Sequence, residues 1–135
     1  MPEITFVSPN VVGKPVGPYS QISRVKASEF IFLAGQTATD KDNNLVGGND
    51  VVAQARQVYA NTEALLKSVG ATWRNVVHFT NYLVNPDDLP KFAAYRREVF
   101  PSMFGSDRYP PNTLLYVDRL LHKEYLVEVQ TIAVL

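Results

Sequence analysis

Cysteine is absent from the 135 residues. Disulfide scaffolds, thiol nucleophiles and thiolate-held zinc are therefore excluded. Net charge is absent too, since 13 lysines and arginines balance 13 aspartates and glutamates. There is no basic excess, and no basic stripe interleaved with aromatics, to grip a phosphate backbone; no nucleic-acid partner is expected. No run approaches the roughly 18 apolar residues of a membrane span, so no membrane partner is expected. Met1 to Asn10 has neither a charged n-region nor a long apolar run, and no signal peptide is expected. A soluble, cytoplasmic protein follows as the expectation. His78 and His122 have no third ligand at a recognisable spacing, so no metal is expected. Hydrolase-elbow, P-loop and dinucleotide-binding motifs are all missing, and no cofactor is expected.

Hydrophobic residues make up 46% of the chain and charged residues 19%, enough for a real core. The length suits one domain spanning 1–135, with no repeat or linker. Ile4 to Ser8 and Gln21 to Val25 read as short strands around a Gly/Pro-rich loop at Gly13–Gln21. Glu29 to Gln36 is nearly continuous and β-prone, which predicts a buried strand. Asn49 or Asp50 caps a long helix whose apolar face is Val51, Ala55, Val58, Thr62, Leu65 and Val69, with Gly70 at its end. Val76 to Val84 is a strand. Asp87 or Asp88 caps a helix from Leu89 to Phe100, which Pro101 stops. Thr113 to Asp118 and Glu124 to Leu135 are the last strands.

This order predicts an α+β fold, a mixed sheet with both helices on one face. Val76–Val84 and Tyr125–Leu135 carry apolar residues on both faces, and such strands require cover on both. Two helices cover one face only. The other is expected to pack against another subunit, giving a homo-oligomer.

Two features carry candidate chemistry. Tyr109-Pro110-Pro111-Asn112-Thr113 is a rigid corner in which two prolines fix φ ahead of a strand. Asn112 and Thr113 then stand where loop becomes strand, a common place for a site. Glu128 is the sole carboxylate between Tyr125 and Leu135. An unpaired acid in an apolar strand has a raised pKa, which suits general acid–base work. It can equally pair with Arg119 or Lys123, or meet solvent at the sheet end.

Several motifs together resemble the RidA/YjgF family of enamine/imine deaminases, nearly end to end. Gly17-Pro18-Tyr19-Ser20-Gln21 is similar to the family's G-P-Y-S/V-Q. Phe32-Leu33-Ala34-Gly35-Gln36 is similar to its apolar-S/A-G-Q. Ala53-Gln54-Ala55-Arg56, with Asn61 and Gly70, follows its first helix. The segment from Tyr95 to Phe100 follows its second helix, and Arg119-Leu120 with Val127–Val134 its closing strands. The resemblance implies a chorismate-mutase-like fold: a homotrimer with a barrel core, helices outside, and three small-molecule sites between subunits. It assigns Tyr19 to the pocket wall and Glu128 to the hydrolytic water.

The family's substrate-clamping arginine, which binds both oxygens of a carboxylate, corresponds to Asn112, its nearby cysteine to Leu114 and a ligand-lining asparagine to Phe92. Asn112 either binds substrate without charge or merely shapes the turn. Arg108 either swings in as the missing cation or lies solvated beside Asp107. Tyr19 lines the site or packs on a neighbouring subunit. Phe92 reads more as core than as ligand contact. The expected function is a divergent deaminase-type hydrolase, with backbone near Gly35 and Asn112 holding a substrate other than the usual 2-imino acids. The alternative is a non-catalytic, metabolite-binding trimer, which a cleft plugged by Phe92 and Leu114 would favour. An endoribonuclease is the least favoured function.

Overall fold

The computed structural model describes residues 1–105 and 108–135. Strands β1 (Glu3–Val7) and β2 (Ile22–Lys26) form an antiparallel pair. A four-stranded sheet follows, built from β3 (Phe30–Gln36), β4 (Val76–Leu83), β5 (Asn112–Tyr116) and β6 (Val127–Val134). Its order is β3-β6-β4-β5. β6 runs antiparallel to β3 and β4, while β5 is parallel to β4. A parallel neighbour needs a crossover, and helix α2 (Leu89–Phe104) supplies it. Helix α1 (Val51–Ser68) connects β3 to β4 and packs on β3, β6 and α2.

Local chemistry explains the helix ends. The Asp50 carboxylate accepts from the Val52 and Ala53 backbone N–H groups and so caps α1. Past the other end, Gly70 takes φ +81°, and its N–H donates to the Lys67 carbonyl while Ala71 N–H donates to that of Leu66. This left-handed exit favours glycine. The start of α2 differs from expectation in part: Asp88 stands at the N-cap position, but its side chain makes no capping hydrogen bond. Asn85 instead accepts from Asp87 N–H and begins a short 3-10 turn that runs into the helix. Pro101 does not stop α2 either. The ring removes one N–H, costing up to ~3 kcal/mol in a helix interior and less in a last turn. Burying Phe104 one turn later offsets much of this, since a buried Phe contributes about 1.5–3 kcal/mol.

The core lies between the helices and one sheet face. Val51, Ala55, Val58, Tyr59 and Leu66 of α1 meet Phe92, Phe100 and Phe104 of α2. Leu65 and Val69 point outward, so the buried stripe of α1 runs through Leu66 instead. An aromatic chain crosses the interior, with Phe100 and Phe104 rings 5.1 Å apart and Phe79 about 6 Å from both. Tyr109 extends it at 6.2 Å from Phe100. The Tyr109–Thr113 corner is thus anchored to the core. Its backbone is held as well: Ser20 Oγ donates to the Tyr109 carbonyl at 2.7 Å, and Phe79 N–H donates to that of Pro111 at 3.0 Å.

The opposite sheet face has no helix over it. On β3, Phe30 and Phe32 are 54% and 72% exposed, so the expected buried strand is buried on one side only. β6 begins at Val127, later than expected, because His122 to Tyr125 form a turn closed by Tyr125 N–H onto His122 O.

Gln54 joins this turn to α1. It is fully buried, its Nε2 donates to the Gly48 and Glu124 carbonyls, and its Oε1 accepts from Leu126 N–H. Three bonds at ~1 kcal/mol each, plus stranded partners, set the scale. Gln54→Ala should lower unfolding free energy by about 3 kcal/mol in urea titration; a change under ~1 kcal/mol would contradict this tethering of β6.

Candidate functional site

Strand alternation decides where each candidate residue stands. Val127 and Val129 point into the core, so Glu128 between them projects from the open face. Register agrees: Tyr82 faces Glu128 on one side and Leu115 on the other, whereas Asn81 faces Val129 and Leu114. Glu128 therefore shares the open face with Tyr82, Thr113 and Leu115. Asn112 and Leu114 lie on the helix-covered face.

Gly35 makes room for Glu128. A Cβ at Gly35 would overlap a Glu128 carboxyl oxygen and stand 2.9 Å from its Cδ. Only glycine lets the strand and the carboxyl approach this closely. Arg119 donates to the Leu120 and Leu121 carbonyls instead of pairing with Glu128. Among the described residues the carboxyl has no ion-pair partner. Partial burial pushes its pKa above the ordinary carboxylate value. A carboxyl so placed can hold a water and exchange a proton with it.

On the other face, Tyr19, Asn112 and Leu114 line a cavity of about 310 Å³. Leu89, Ala93, Val16 and Pro18 make its walls largely apolar. The Asn112 side chain is oriented by Asn81, whose Nδ2 donates to Asn112 Oδ1 at 3.3 Å and to the Thr113 carbonyl at 3.2 Å. Asn81 is thus structural, a buried amide that sets the start of β5.

The cavity holds a cation that sequence reasoning missed. Arg96 of α2 lines it, is only 7% exposed, and donates from Nη1 to Asn112 Oδ1 at a long 3.5 Å. Its guanidinium lies 4.5 Å from the Phe92 ring centre. Its Nε is buried without a partner. Burial pushes its pKa down, the Tyr59 hydroxyl opposes that shift, and neighbouring Arg97 adds to it. The signal was present: Leu89, Phe92, Arg96 and Phe100 fall at helical spacing, placing a charge on the buried stripe.

Arg108 does not line this cavity. It lies 5.7 Å from the Phe6 ring centre and lines a different cleft with Arg74 and the N-terminal residues. Asp107, beside it in the solvated alternative, lies outside the described residues. Phe92 is fully buried and lines no part of the cavity; it is the floor under Arg96. Thr113 is exposed and borders a shallow cleft with Tyr19, His78 and Asn112. Among the described residues no cluster of three His, Asp or Glu side chains could hold a metal. The single chain therefore brings Tyr19, Asn112 and Leu114 together and keeps Gly35 and Glu128 apart from them.

Among the described residues no helix is long and apolar enough to cross a membrane. The family model described as Endoribonuclease L-PSP matches residues 11–135. A RutC family protein from Synechocystis is 38% identical over 122 residues, which is 90% of this chain and 88% of that protein. A Capra hircus protein named 2-iminobutanoate/2-iminopropanoate deaminase is 30% identical over 119 residues, 88% of this chain and 81% of its own. Among solved structures, YyfB from Yersinia pestis, a Rid-family protein of unknown function, superposes with a TM-score of 0.85 at 30% identity, covering 98% of both chains. With these matches and two helices on one face of a mixed sheet, the chain belongs to the RidA/YjgF family.

Proposed function

We propose that the protein is a deaminase-type hydrolase of a small enamine, imine or related metabolite, working in clefts that a second copy of the chain completes. One observation carries this reading: among the described residues Glu128 has no ion-pair partner, is seated against Gly35, and projects from the sheet face opposite the helices. A homotrimer is the assembly that the family resemblance implies. It would cover Phe30 and Phe32 and give Glu128 a walled, water-poor setting.

The chemistry needs no cofactor. An enamine first takes a proton at carbon and becomes the iminium ion. Glu128 then accepts a proton from water as the oxygen attacks the iminium carbon, forming a carbinolamine. Glu128 returns that proton to nitrogen, and the C–N bond breaks as the carbinolamine hydroxyl gives its own proton to the regenerated carboxylate, releasing ammonia and leaving a carbonyl. A carboxyl with a raised pKa suits both transfers. The substrate differs from the small 2-imino acids, because position 112 supplies an amide in place of a charge beside the reacting carbon. Phe92 is withdrawn and Leu114 is only a wall, so the cavity is open to a ligand and not plugged as a purely structural role would require.

Glu128→Gln should lower kcat/KM on an accepted imine by about 10²–10⁴-fold, the usual share of a positioned acid–base group. Unchanged turnover would remove Glu128 from the mechanism. The same variant has a stability signature. The folded-state pKa of Glu128 is raised, so the folded form binds more protons and wild type loses stability as pH climbs through the window between the ordinary and raised values. Glu128→Gln lacks that loss. Its thermal midpoint should exceed wild type at pH 7 and the gap should close below the ordinary carboxylate pKa; a gap independent of pH contradicts the shift.

Freshly generated 2-iminopropanoate should be hydrolysed no faster with the protein than without it, and clear acceleration would overturn the altered-substrate reading. Light scattering should show a homo-oligomer, and Phe32→Glu on the open face should yield monomers without activity. A stable wild-type monomer that retains turnover would end the shared-cleft reading.

A further inference from the structure

Arg96 is an expensive residue where it stands. A buried guanidinium is normally satisfied by a carboxylate or by several carbonyls, because its five N–H donors and its charge lose water together. Here, among the described residues, its one hydrogen bond is the 3.5 Å contact to Asn112. The other favourable contacts among the described residues are the Phe92 ring beneath it and the nearby Tyr59 hydroxyl. Its charged neighbour Arg97 carries the same sign and also lines the cavity. Among the described residues no carboxylate lines the cavity. A cavity of about 310 Å³ whose described lining has two arginines, no acid and apolar walls from Val16, Leu89, Ala93 and Leu114 is unbalanced as it stands. The missing component is an anion with an apolar body.

We infer that Arg96, with Asn112 beside it, is an anion receptor that takes the carboxylate of a small ligand whose hydrocarbon part lies against Leu89, Ala93 and Leu114. Arg96 forks onto the carboxylate, and the Asn112 amide gives orientation. Arg97, exposed at the mouth, adds long-range attraction. The cation is set back on a helix and does not stand at the start of β5, so the bound carboxylate is separated from the reacting carbon by an apolar spacer. As a statement about the substrate this rests on the hydrolase reading; as a statement about binding it does not.

Non-hydrolysable probes keep the two separate. Calorimetric titration of the full-length protein with 3-methylbutanoate and with its neutral isostere 3-methylbutanamide should show the acid binding about tenfold tighter, as a charged hydrogen-bond pair exceeds a neutral one. That preference should shrink as salt rises. Arg96→Gln should erase it. Should Arg96→Gln fail to fold, Asn112→Asp decides. It places an internal carboxylate where the amide now contacts Arg96, and should abolish acid binding while raising the thermal midpoint. Equal binding of acid and amide, binding of neither, or an Asn112→Asp protein that takes the acid like wild type would each overturn the receptor. Acid-selective binding without imine turnover would leave the receptor standing and sink the hydrolase. Turnover without acid selectivity would do the reverse.

Discussion

Successive residues of a strand point to opposite faces, and helices cover only one face of this sheet. Everything notable about the molecule follows from that pair of constraints. On β6, Val127 and Val129 reach the core while Glu128 is sent outward. On β5, Asn112 and Leu114 turn toward the helices while Thr113 and Leu115 do not. A one-residue slip in either strand would exchange its two sets, and in β6 it would place a carboxylate in the core. The polar groups that resist slippage are themselves buried. Asn81 bonds across to Asn112 and Thr113, and Gln54 pins the approach to β6.

The same alternation divides the chemistry. One face carries a carboxyl pressed on a glycine; the other carries a guanidinium over an aromatic ring. Within one chain, opposite charges that would neutralise each other are held on opposite sides of a sheet. Each keeps an unspent interaction. For Glu128 it is a proton affinity above the ordinary value, and for Arg96 a desolvated charge without an anion. Both conditions destabilise the isolated fold slightly, and both are what a site requires of residues that must bind or react later.

Much of this was legible in the residue order. Gly70, Asp50 and the turn-rich loops marked the first helix through backbone chemistry that does not depend on tertiary context. The two apolar faces of the last strand pointed to a sheet covered on one side by helices and in need of cover on the other. Glu128 stood out because an acid among valines must be doing something. The misses have a common cause. Sequence makes Pro101 a helix stop, yet burying Phe104 outweighs one lost hydrogen bond near a helix end. Sequence makes β3 wholly buried, yet apolar content alone does not say whether cover comes from the same chain. Sequence offers Asp87 and Asp88 as caps, yet Asp88 holds the cap position without a side-chain bond and Asn85 makes the bond that starts the turn. In each case local propensity was overruled by packing, which no short window contains.

Arg96 is the instructive miss. Position 112 is an asparagine where the resemblance implies an arginine, and the replacement cation that the sequence suggests is Arg108 on the adjoining loop. A cation's usefulness depends on where its charged end lies, and a side chain of Arg length covers several ångströms from its Cα. A residue on the helix immediately before β5 can deliver its guanidinium to the same amide that stands at the arginine's position. The exchange is not neutral. A charge rooted on α2 approaches the cavity through its apolar wall, beneath Tyr19 and beside Leu114, and is desolvated over most of its length. Desolvation strengthens each interaction the guanidinium makes and narrows the directions from which an anion can approach. Keeping the charge while moving its origin therefore changes which molecules fit, even where the fold and the carboxyl on the far face stay as they are.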